Sequence, residues 1–338
     1  MLVIESVLRL NKNNNLSKHD QLVQGVMEAI DEGNLSIGDQ LPSINKMVEE
    51  IGFARKTIFR AYEDLKDKGL IESRQLKGYF VISSETNITI RMALLLYAFQ
   101  SFQEEFHNTF REEMGKRFKI DVFFHHNNLS IFETLLANIK NKYGMYVIAP
   151  IQHESVIPLL SDINPKKLLM VDRYLELGSS FSYIAQEFEQ PVYRSLVQLL
   201  PEIKKYVRIV LIFDAVADHS PMGIQSAFER FLSDYNLIGE VNKVYTPGSI
   251  EKDTLYFVPN DLTLWHVLRG CVEKGFVIGC DVGILSQDDN VAKEIVFGGI
   301  TTISTDFIEM AKKAASHVKE GKQTQVLLPT KLIKRKSL

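Results

Sequence analysis

From Ile90 onward, short apolar runs alternate with amphipathic stretches of helical period, and this alternation restricts the fold more than any other feature. Ile90–Tyr97 precedes an amphipathic stretch at Phe102–Phe118, and Met145–Ala149 precedes another at His153–Leu160. Strands that alternate with helices predict a parallel α/β architecture. About 250 residues of this pattern suit two Rossmann-like lobes better than one sheet. Further strands are expected at Asp121–Phe124, Leu168–Val171, Arg208–Phe213, Leu255–Val258 and Val277–Gly283.

The first 85 residues have a different pattern, which is mostly helical. One amphipathic helix ends at Gly33, a second begins after Ser43 as its N-cap, and a third ends at Gly69. Two short strands, Leu70–Ser73 and Tyr79–Ser83, then follow around a turn. Three helices followed by a hairpin predict a winged helix-turn-helix, a small α+β domain.

A polar stretch, Ser83–Thr89, divides the two patterns and is expected to be a linker. We therefore assign residues 1–85 to the winged helix-turn-helix and residues 86–338 to a domain that binds an effector and dimerises. Within the second domain, the expected lobes are about 90–185 plus 303–327 and about 186–302 plus 328–338.

Charge is distributed unevenly over the first domain. The whole chain has a net charge of −3, and residues 1–85 contain 11 Lys and Arg against 13 Asp and Glu. No acidic residue occurs in Ile51–Tyr62 or in Ser73–Ser84, which contain the first half of the third helix and the wing. A solvated helix face is the alternative explanation of such a run. Because both acid-free stretches coincide with the elements that a winged helix presents to DNA, we expect them to bind double-stranded DNA.

Two cysteines, Cys271 and Cys280, are too few for a disulfide framework, as is usual in a reducing cytoplasm. We expect Cys271 in a core helix and Cys280 in a core strand. The apolar runs are far shorter than the ~18 residues of a membrane span, so the expected location is cytoplasmic, with no membrane contact.

Sequence motifs of catalysis are absent from the second domain. The chain has no GxGxxG, GxxxxGK[ST], HExxH or GxSxG motif. Adjacent His125 and His126 would point to opposite faces of a strand, which is a poor arrangement for metal ligands. We therefore expect neither an enzyme nor a bound metal or cofactor.

Five segments of the first domain resemble the GntR family of bacterial transcription regulators, in order over about 65 residues: Gly33–Ser43, Gly52–Ile58, Ala61–Leu65, Gly69–Glu72 and Gly78–Val81. The resemblance implies DNA contacts from a helix start, the recognition helix and the wing. Two positions depart from the common pattern, because Asn45 and Phe59 stand where many members have Arg. The expected DNA-binding residues are Ser43, Asn45, Arg55, Lys56, Thr57, Arg60, Lys77 and Gly78.

The second domain resembles the LacI-type sensor, which is related to periplasmic sugar-binding proteins. The resemblance rests on Met170–Arg173, Val258–Asp261, Val282–Asp289, Gly299–Ile303 and Leu328–Leu332, which occur in the correct order. It implies a two-lobed fold that binds a small molecule.

Polar residues follow several of the apolar strands, and ligands of open α/β sheets bind at the carboxyl ends of strands. We expect these residues to converge on a cleft between the lobes, with aromatic rings covering the apolar face of a sugar. Each acid has an alternative role as a helix cap or a solvated loop residue. Met222–Ile224, where related sensors often have an Arg, favours a neutral ligand. The expected ligand-binding residues are Tyr97, Phe102, Asp172, Arg173, Asn260, and Asp288 or Asp289.

These expectations describe a transcription regulator that is controlled by a small molecule, most simply a monosaccharide. A homodimer is expected because related readers bind half-sites with twofold symmetry. Two alternatives stay open: an enzyme with a vestigial DNA reader, and a DNA-binding scaffold without an effector.

Overall fold

The computed structural model describes residues 17–86, 90–98, 101–115, 118–214 and 221–338. Its first domain, called the reader below, has three helices and a two-stranded hairpin. Gly52 ends the second helix with a φ of +69°, a left-handed conformation that turns the chain sharply into the third helix. The elements of the reader are α1 (Lys18–Asp31), α2 (Ile44–Ile51), α3 (Arg55–Asp67), β1 (Ile71–Arg74) and β2 (Gly78–Val81).

The α/β pattern predicted beyond the reader is confirmed. Its described strands are β3 (Ile90–Leu96), β4 (Phe118–Phe124), β5 (Met145–Ile148), β6 (Leu168–Asp172), β7 (Ser182–Glu187), β8 (Arg208–Ile212), β9 (Gly239–Asn242), β10 (Thr254–Val258), β11 (Val282–Gln287), β12 (Thr301–Ser304), β13 (Gln325–Pro329) and β14 (Lys331–Ile333). The helices are α4 (Ser101–Met114), α5 (Leu129–Ile139), α6 (Val156–Ser161), α7 (Glu189–Gln198), α8 (Leu200–Ile203), α9 (Met222–Tyr235), α10 (Asp261–Glu273), α11 (Val291–Ile295) and α12 (Phe307–Glu320).

The described strands beyond the reader form two six-stranded sheets. The first has the order β13-β7-β6-β5-β3-β4, with β3 parallel to β4 and β5, and β5 parallel to β6. The second has the order β14-β12-β11-β10-β8-β9 and is parallel except for β14, which runs antiparallel to β12. Parallel order within each sheet places the carboxyl ends of these strands along one edge.

The chain forms two compact units, each assembled from three segments. The first unit comprises residues 1–98, 110–183 and 314–325, and therefore contains the reader together with most of the first sheet. The second comprises residues 99–109, 184–313 and 326–338. The chain leaves the second unit at residue 313.

Each unit has its own buried apolar clusters. In the reader, α1 and α3 bury Leu22, Val26, Ile58 and Leu65 completely. In the second unit, the two faces of the sheet are covered by separate clusters, one under α7 and α9 and the other under α10. None of the helices formed by the described residues is long and apolar enough to cross a membrane.

One strand prediction was misplaced. The run Val277–Gly283 was expected to form a strand, but β11 begins only at Val282, and a turn precedes it. Asp281 explains the turn, because its carboxylate accepts a hydrogen bond from the Val277 N–H at 2.9 Å. Cys280 is consequently exposed in this turn, whereas Cys271 is buried in α10 as expected. Burial raises the pKa of the Cys271 thiol to about 11.

Candidate functional site

The basic face predicted on α3 is exposed. Ile58, Ala61 and Leu65 are fully buried, while Arg55, Lys56 and Arg60 lie on the exposed side of the helix. Helical spacing produces this division, because the apolar side chains recur every three or four residues. No acid occurs in the first turn of α3 to oppose a phosphate. A negatively charged backbone could therefore approach the amino-terminal half of this helix.

Asn45 and Arg55 contact each other, although they belong to successive helices. The Arg55 guanidinium donates a hydrogen bond from Nη1 to the Asn45 Oδ1 at 2.6 Å. Ser43 caps α2, since its Oγ accepts a hydrogen bond from the Lys46 N–H at 3.2 Å. Three of the expected DNA-binding residues therefore lie where α2 and α3 begin. Thr57 is half-buried on α3.

The wing is braced from inside the reader. Gln40 donates a hydrogen bond from Nε2 to the Lys77 carbonyl at 2.5 Å, next to Gly78. Gly78 has a φ of +99°, which favours glycine, and an added Cβ would lie only 3.2 Å from the same Gln40 Nε2. Both the backbone conformation and the limited space therefore favour glycine here. Lys77 is exposed at the tip, as a DNA contact requires.

Within the first unit, the reader packs against the first sheet through a contact that we call the seam. Asp67 and Gly69 belong to the reader side of the seam, and Arg91, Gly144 and Lys167 to the other. The Lys167 ammonium donates a hydrogen bond to the Asp67 carboxylate and forms an ion pair with it. Gly144 approaches so closely that an added Cβ would lie 2.5 Å from the Asp67 carbonyl oxygen. Burial raises the pKa of Asp67, and the Lys167 ammonium opposes that rise.

Two residues of the expected linker are bonded to the elements on either side, and residues 87–89 lie outside the described part of the chain. Thr86 donates a hydrogen bond from its hydroxyl to the Asp31 carboxylate of α1 at 2.7 Å. Glu85 forms an ion pair with Lys119 of β4 at 2.6 Å. A cavity of about 350 Å³ lies beside the seam, lined by α3 on one side and by residues near the first sheet on the other, and Phe59 and Tyr143 are among its lining residues. Phe59, one of the two departures from the family pattern, therefore faces the seam cavity.

Three of the expected ligand-binding residues lie at strand ends of the first unit. Tyr97 follows β3, and Asp172 and Arg173 are the last residue of β6 and the next one. Asp172 has a φ of +66°, a left-handed conformation that is uncommon for a residue other than glycine. Such backbone strain is often found at ligand sites.

Tyr97 packs edge-on against the buried ring of His125, with ring centroids 6.1 Å apart. The Asn127 N–H donates to His125 Nδ1 at 3.1 Å, so the ring donates from Nε2 to the Ala149 carbonyl at 3.0 Å. Burial lowers the pKa of His125 to about 4. A neutral histidine therefore fixes the loop that follows β4.

In the second unit, two of the expected ligand-binding residues have structural roles. The Asn260 Oδ1 caps α10 by accepting the Thr263 N–H at 2.9 Å. Asp289 receives two hydrogen bonds from the Arg335 guanidinium, at 2.6 and 2.7 Å, and one from the Thr302 hydroxyl at 3.0 Å. Burial opposes ionisation of Asp289, but these donors hold its pKa below the usual value.

Asp288 and Phe102 have different surroundings. Asp288 follows β11 with a φ of +55°, and its N–H donates to the Ile303 carbonyl at 2.9 Å. Phe102, on α4, lies against the Phe307 ring at the start of α12, with centroids 4.8 Å apart. Of the two alternatives at the end of β11, Asp288 is thus the one without the Arg335 pair.

Sequence reasoning missed Lys293, whose side chain is completely buried in the second unit. Its ammonium donates to the Gln287 and Asp288 carbonyls, both at 2.6 Å, and pairs with Asp261 at 2.5 Å. These bonds tie the loop after β11 to the start of α10. A lysine between Ala292 and Glu294 in a five-residue helix gives no sequence signal of such a role.

Family models match two separate stretches of the chain. Residues 18–81 match the bacterial regulatory proteins of the gntR family, and residues 204–338 match the periplasmic binding protein-like domain. The chain joins a GntR-type helix-turn-helix domain to a periplasmic-binding-protein-like domain. The two resemblances that the sequence predicted are thereby confirmed.

The GntR-type reader is similar to the HTH-type transcriptional regulator Rv1152 of Mycobacterium tuberculosis, with 32% identity over 62 residues. These residues make up 18% of this chain, and the chain spans about half the length (51%) of that relative.

Solved structures of LacI family transcriptional regulators share the fold of the remaining part. A Lactobacillus casei regulator with bound glucose matches with a TM-score of 0.61 and 14% identity, over 73% of this chain and 99% of the other. The CCPA regulator of Weissella paramesenteroides with bound sucrose matches with a TM-score of 0.57 and 17% identity, over 73% and 98%. At this identity the likeness shows the fold.

Proposed function

We propose that the chain is a transcription regulator that binds operator DNA through the reader and responds to a neutral polyhydroxylated effector, most simply a monosaccharide. One observation carries the proposal: a GntR-type reader with an exposed basic face on α3 shares its chain with a domain of LacI-type fold. Solved regulators of that fold hold glucose or sucrose. We place the regulator in the cytoplasm.

DNA recognition can be tested without knowing the operator. Selection from a randomised duplex pool should enrich one sequence, and anisotropy titrations should show affinity that decreases with salt, because basic side chains displace counterions from phosphates. The double variant Lys56→Ala/Arg60→Ala should bind about tenfold more weakly, whereas Lys204→Ala/Lys205→Ala removes the same charge from the second unit and should not. A pool that shows no enrichment contradicts the proposal.

For the effector, we propose contacts from Tyr97, Phe102, Asp172, Arg173, Asn260 and Asp288. Carboxylates accept hydrogen bonds from two hydroxyls each, and Asn and Arg supply donors. Asp289 has a structural role through Arg335, and we keep Asp288, which follows β11 in a left-handed backbone conformation, as the candidate of that pair. With Arg173 as the main candidate cation, a phosphorylated ligand is disfavoured.

Asp172→Asn is a sharp test of this site. Asparagine tolerates the left-handed backbone at position 172, so the fold should be retained while a charged acceptor is lost. A thermal-shift screen with monosaccharides and disaccharides should find a ligand that stabilises the wild type by ~2.7 kcal/mol at 100 times Kd. The variant should lose that shift and keep operator binding. Tight binding of sugar phosphates alone would refute the ligand class.

Strand β6 offers a route from the effector to the reader. Lys167, directly before β6, bonds Asp67 at the end of α3, and Asp172 ends the same strand. We propose that effector binding at Asp172 displaces α3 through this strand. Lys167→Met should then preserve the separate affinities for sugar and operator but abolish the change in operator affinity when sugar is added. Unchanged coupling would exclude this route.

Assembly as a homodimer completes the proposal, since twofold operators require two readers. The interface is expected outside the reader, so a protein lacking residues 1–85 should remain dimeric in light scattering at micromolar concentration. A folded monomer would contradict this. No step requires catalysis, so the bound sugar should be recovered unchanged, whereas turnover would favour the enzyme alternative.

A further inference from the structure

Gln287, the last residue of β11, has an unusual environment. Only 4% of the residue is exposed, yet neither its Oε1 nor its Nε2 has a hydrogen-bond partner among the described residues. Its backbone carbonyl is occupied by Lys293 at 2.6 Å. Burial of an unpaired amide destabilises a fold, and native proteins seldom leave such a group without a purpose.

Sheet register places further polar side chains beside it. Gln287 is paired with Ile303 of β12, and Ile303 with Leu332 of β14, so these three residues share one face of the second sheet. Thr305 follows Ile303 by two residues, and Thr330 precedes Leu332 by two on the antiparallel strand, so both lie on the same face. They are 4% and 7% exposed. The Thr330 hydroxyl is a second buried group without a partner among the described residues.

Thr305, which directly follows β12, brings a fourth polar side chain into the group. Its hydroxyl donates to the Gln186 Oε1 at 2.6 Å. We call Gln186, Gln287, Thr305 and Thr330 the neutral cluster. All four belong to the second unit. Gln287, Thr305 and Thr330 lie at the carboxyl end of the second sheet, and Gln186 is in β7 of the first sheet. The apolar side chains of Leu285, Ile303 and Leu332 lie beneath it on the same face.

The side chains of the neutral cluster carry no charge, and their hydrogen-bonding groups favour a ligand with hydroxyl groups over an anionic ligand. Gln287 presents a donor and an acceptor, and Thr330 a hydroxyl that can be either, which matches a ligand hydroxyl that donates and accepts at once. The cations near the neutral cluster are engaged. Lys331, next to Thr330, pairs with Asp306 at 3.1 Å, Lys293 binds backbone carbonyls and Asp261, and Arg335 binds Asp289. A buried phosphate or carboxylate would need a cation of its own.

We propose that Gln287 and Thr330 form a subsite that binds the hydroxyl groups of a neutral polyol. The proposal rests on the proposed effector function and adds two residues to it. In the unliganded protein, both groups are kept buried without partners, at the expense of stability. Ligand hydroxyls satisfy them, and a ligand that lacks the matching hydroxyl leaves them unpaired and binds weakly.

The first test needs no ligand. Gln287→Met and Thr330→Val replace the unpaired groups by apolar groups of similar size, so each variant should unfold at a higher urea concentration than the wild-type chain. Thr254→Val is the matched control. Its hydroxyl is equally buried but donates to the Lys252 carbonyl at 3.3 Å, and its loss should lower the midpoint. Lower midpoints for the two variants would overturn the proposal, because they would show that the groups are already bonded within the fold.

The second test measures binding by calorimetry of the full chain with D-glucose, D-ribose, sucrose and sorbitol as probes. A probe that binds the wild type should bind Gln287→Met at least tenfold more weakly and Thr254→Val equally well. Equal affinity for Gln287→Met would overturn the subsite while leaving the regulator proposal intact. If no probe binds the wild type, the polyol class itself fails for effector and subsite alike, while operator binding still decides the reader.

Discussion

Polar side chains are exposed on α3 of the reader, whereas several at the carboxyl edge of the second sheet are bonded within the fold. On α3, Arg55, Lys56 and Arg60 lie on an exposed face, so a DNA backbone can reach them. At the carboxyl edge of the second sheet, Asn260 caps a helix and Asp289 binds Arg335. An exposed helix face makes few demands on its side chains, whereas strand ends carry backbone groups and charges that need partners. A run of polar residues therefore indicates a binding partner more reliably on the exposed face of α3 than at the strand ends, where such residues often bond within the fold.

Removal of the Arg335 side chain should produce the largest effect. Its guanidinium holds the Asp289 carboxylate, and both side chains are mostly buried, with 14% and 21% exposure. Arg335→Ala leaves that carboxylate unpaired, so the free energy of unfolding should fall by about 3–5 kcal/mol. Urea denaturation measures the loss. Lys331→Ala, which removes an exposed partner of Asp306 on the same tail, should change stability by less than about 1 kcal/mol. Comparable losses for both variants would contradict a structural role for Asp289.

His125 extends the comparison to the first sheet and predicts a dependence on pH. The folded pKa of about 4 lies below the ordinary 6.5, so the unfolded chain binds a proton first as the pH falls. The histidine's contribution is complete above pH 6.5 and is lost between about pH 6.5 and 4. At about 1.4 kcal/mol per pKa unit, the loss amounts to about 3 kcal/mol.

His125→Gln is the matched variant, since glutamine can replace both hydrogen bonds and does not titrate. Unfolding free energies of the two proteins should converge as the pH is lowered from 7 to 4, because the wild type alone loses this contribution. Parallel pH profiles would show that His125 does not titrate in this range.

Arg55 tests the exposed side of the comparison. If its guanidinium reads a guanine, Arg55→Ala should weaken operator binding by ~1–3 kcal/mol, about 5- to 150-fold, with little change in stability. Anisotropy at fixed salt measures the affinity, and Lys205→Ala controls for charge. Unchanged affinity would remove Arg55 from the residues that read DNA.

Asn45 should give the smallest effect and sharpen the comparison within the reader. Its bond to Arg55 restricts the guanidinium before DNA arrives, so Asn45→Ala should lower operator affinity a few-fold, by about 1 kcal/mol. In the Arg55→Ala background the same substitution should have a smaller effect, because the bond is already absent. Additive effects would indicate that Asn45 acts independently of Arg55.

The sequence predicted what depends on local periodicity. The helices of the reader, the Ser43 cap and the alternation beyond Ile90 follow from neighbours that are one to four residues apart. The Asp289–Arg335 pair and the Asp67–Lys167 bond join residues 46 and 100 positions apart, and no local pattern encodes them. The strand at Val277 was misplaced for a related reason, since Asp281 turns the backbone within an apolar run. The candidate effector residues were identified by their place after strands, but their bonding partners could not be inferred from that place.

The seam also has a consequence for how such proteins can be recombined. The reader is one continuous stretch that enters the rest of the chain once, so a single junction near residues 83–89 would exchange it for another. Asp67 would travel with the exchanged reader, while Lys167 and the close-packed Gly144 would stay behind. A chimera could thus fold and bind both DNA and effector yet respond to nothing, unless the incoming reader brings an acid that meets Lys167.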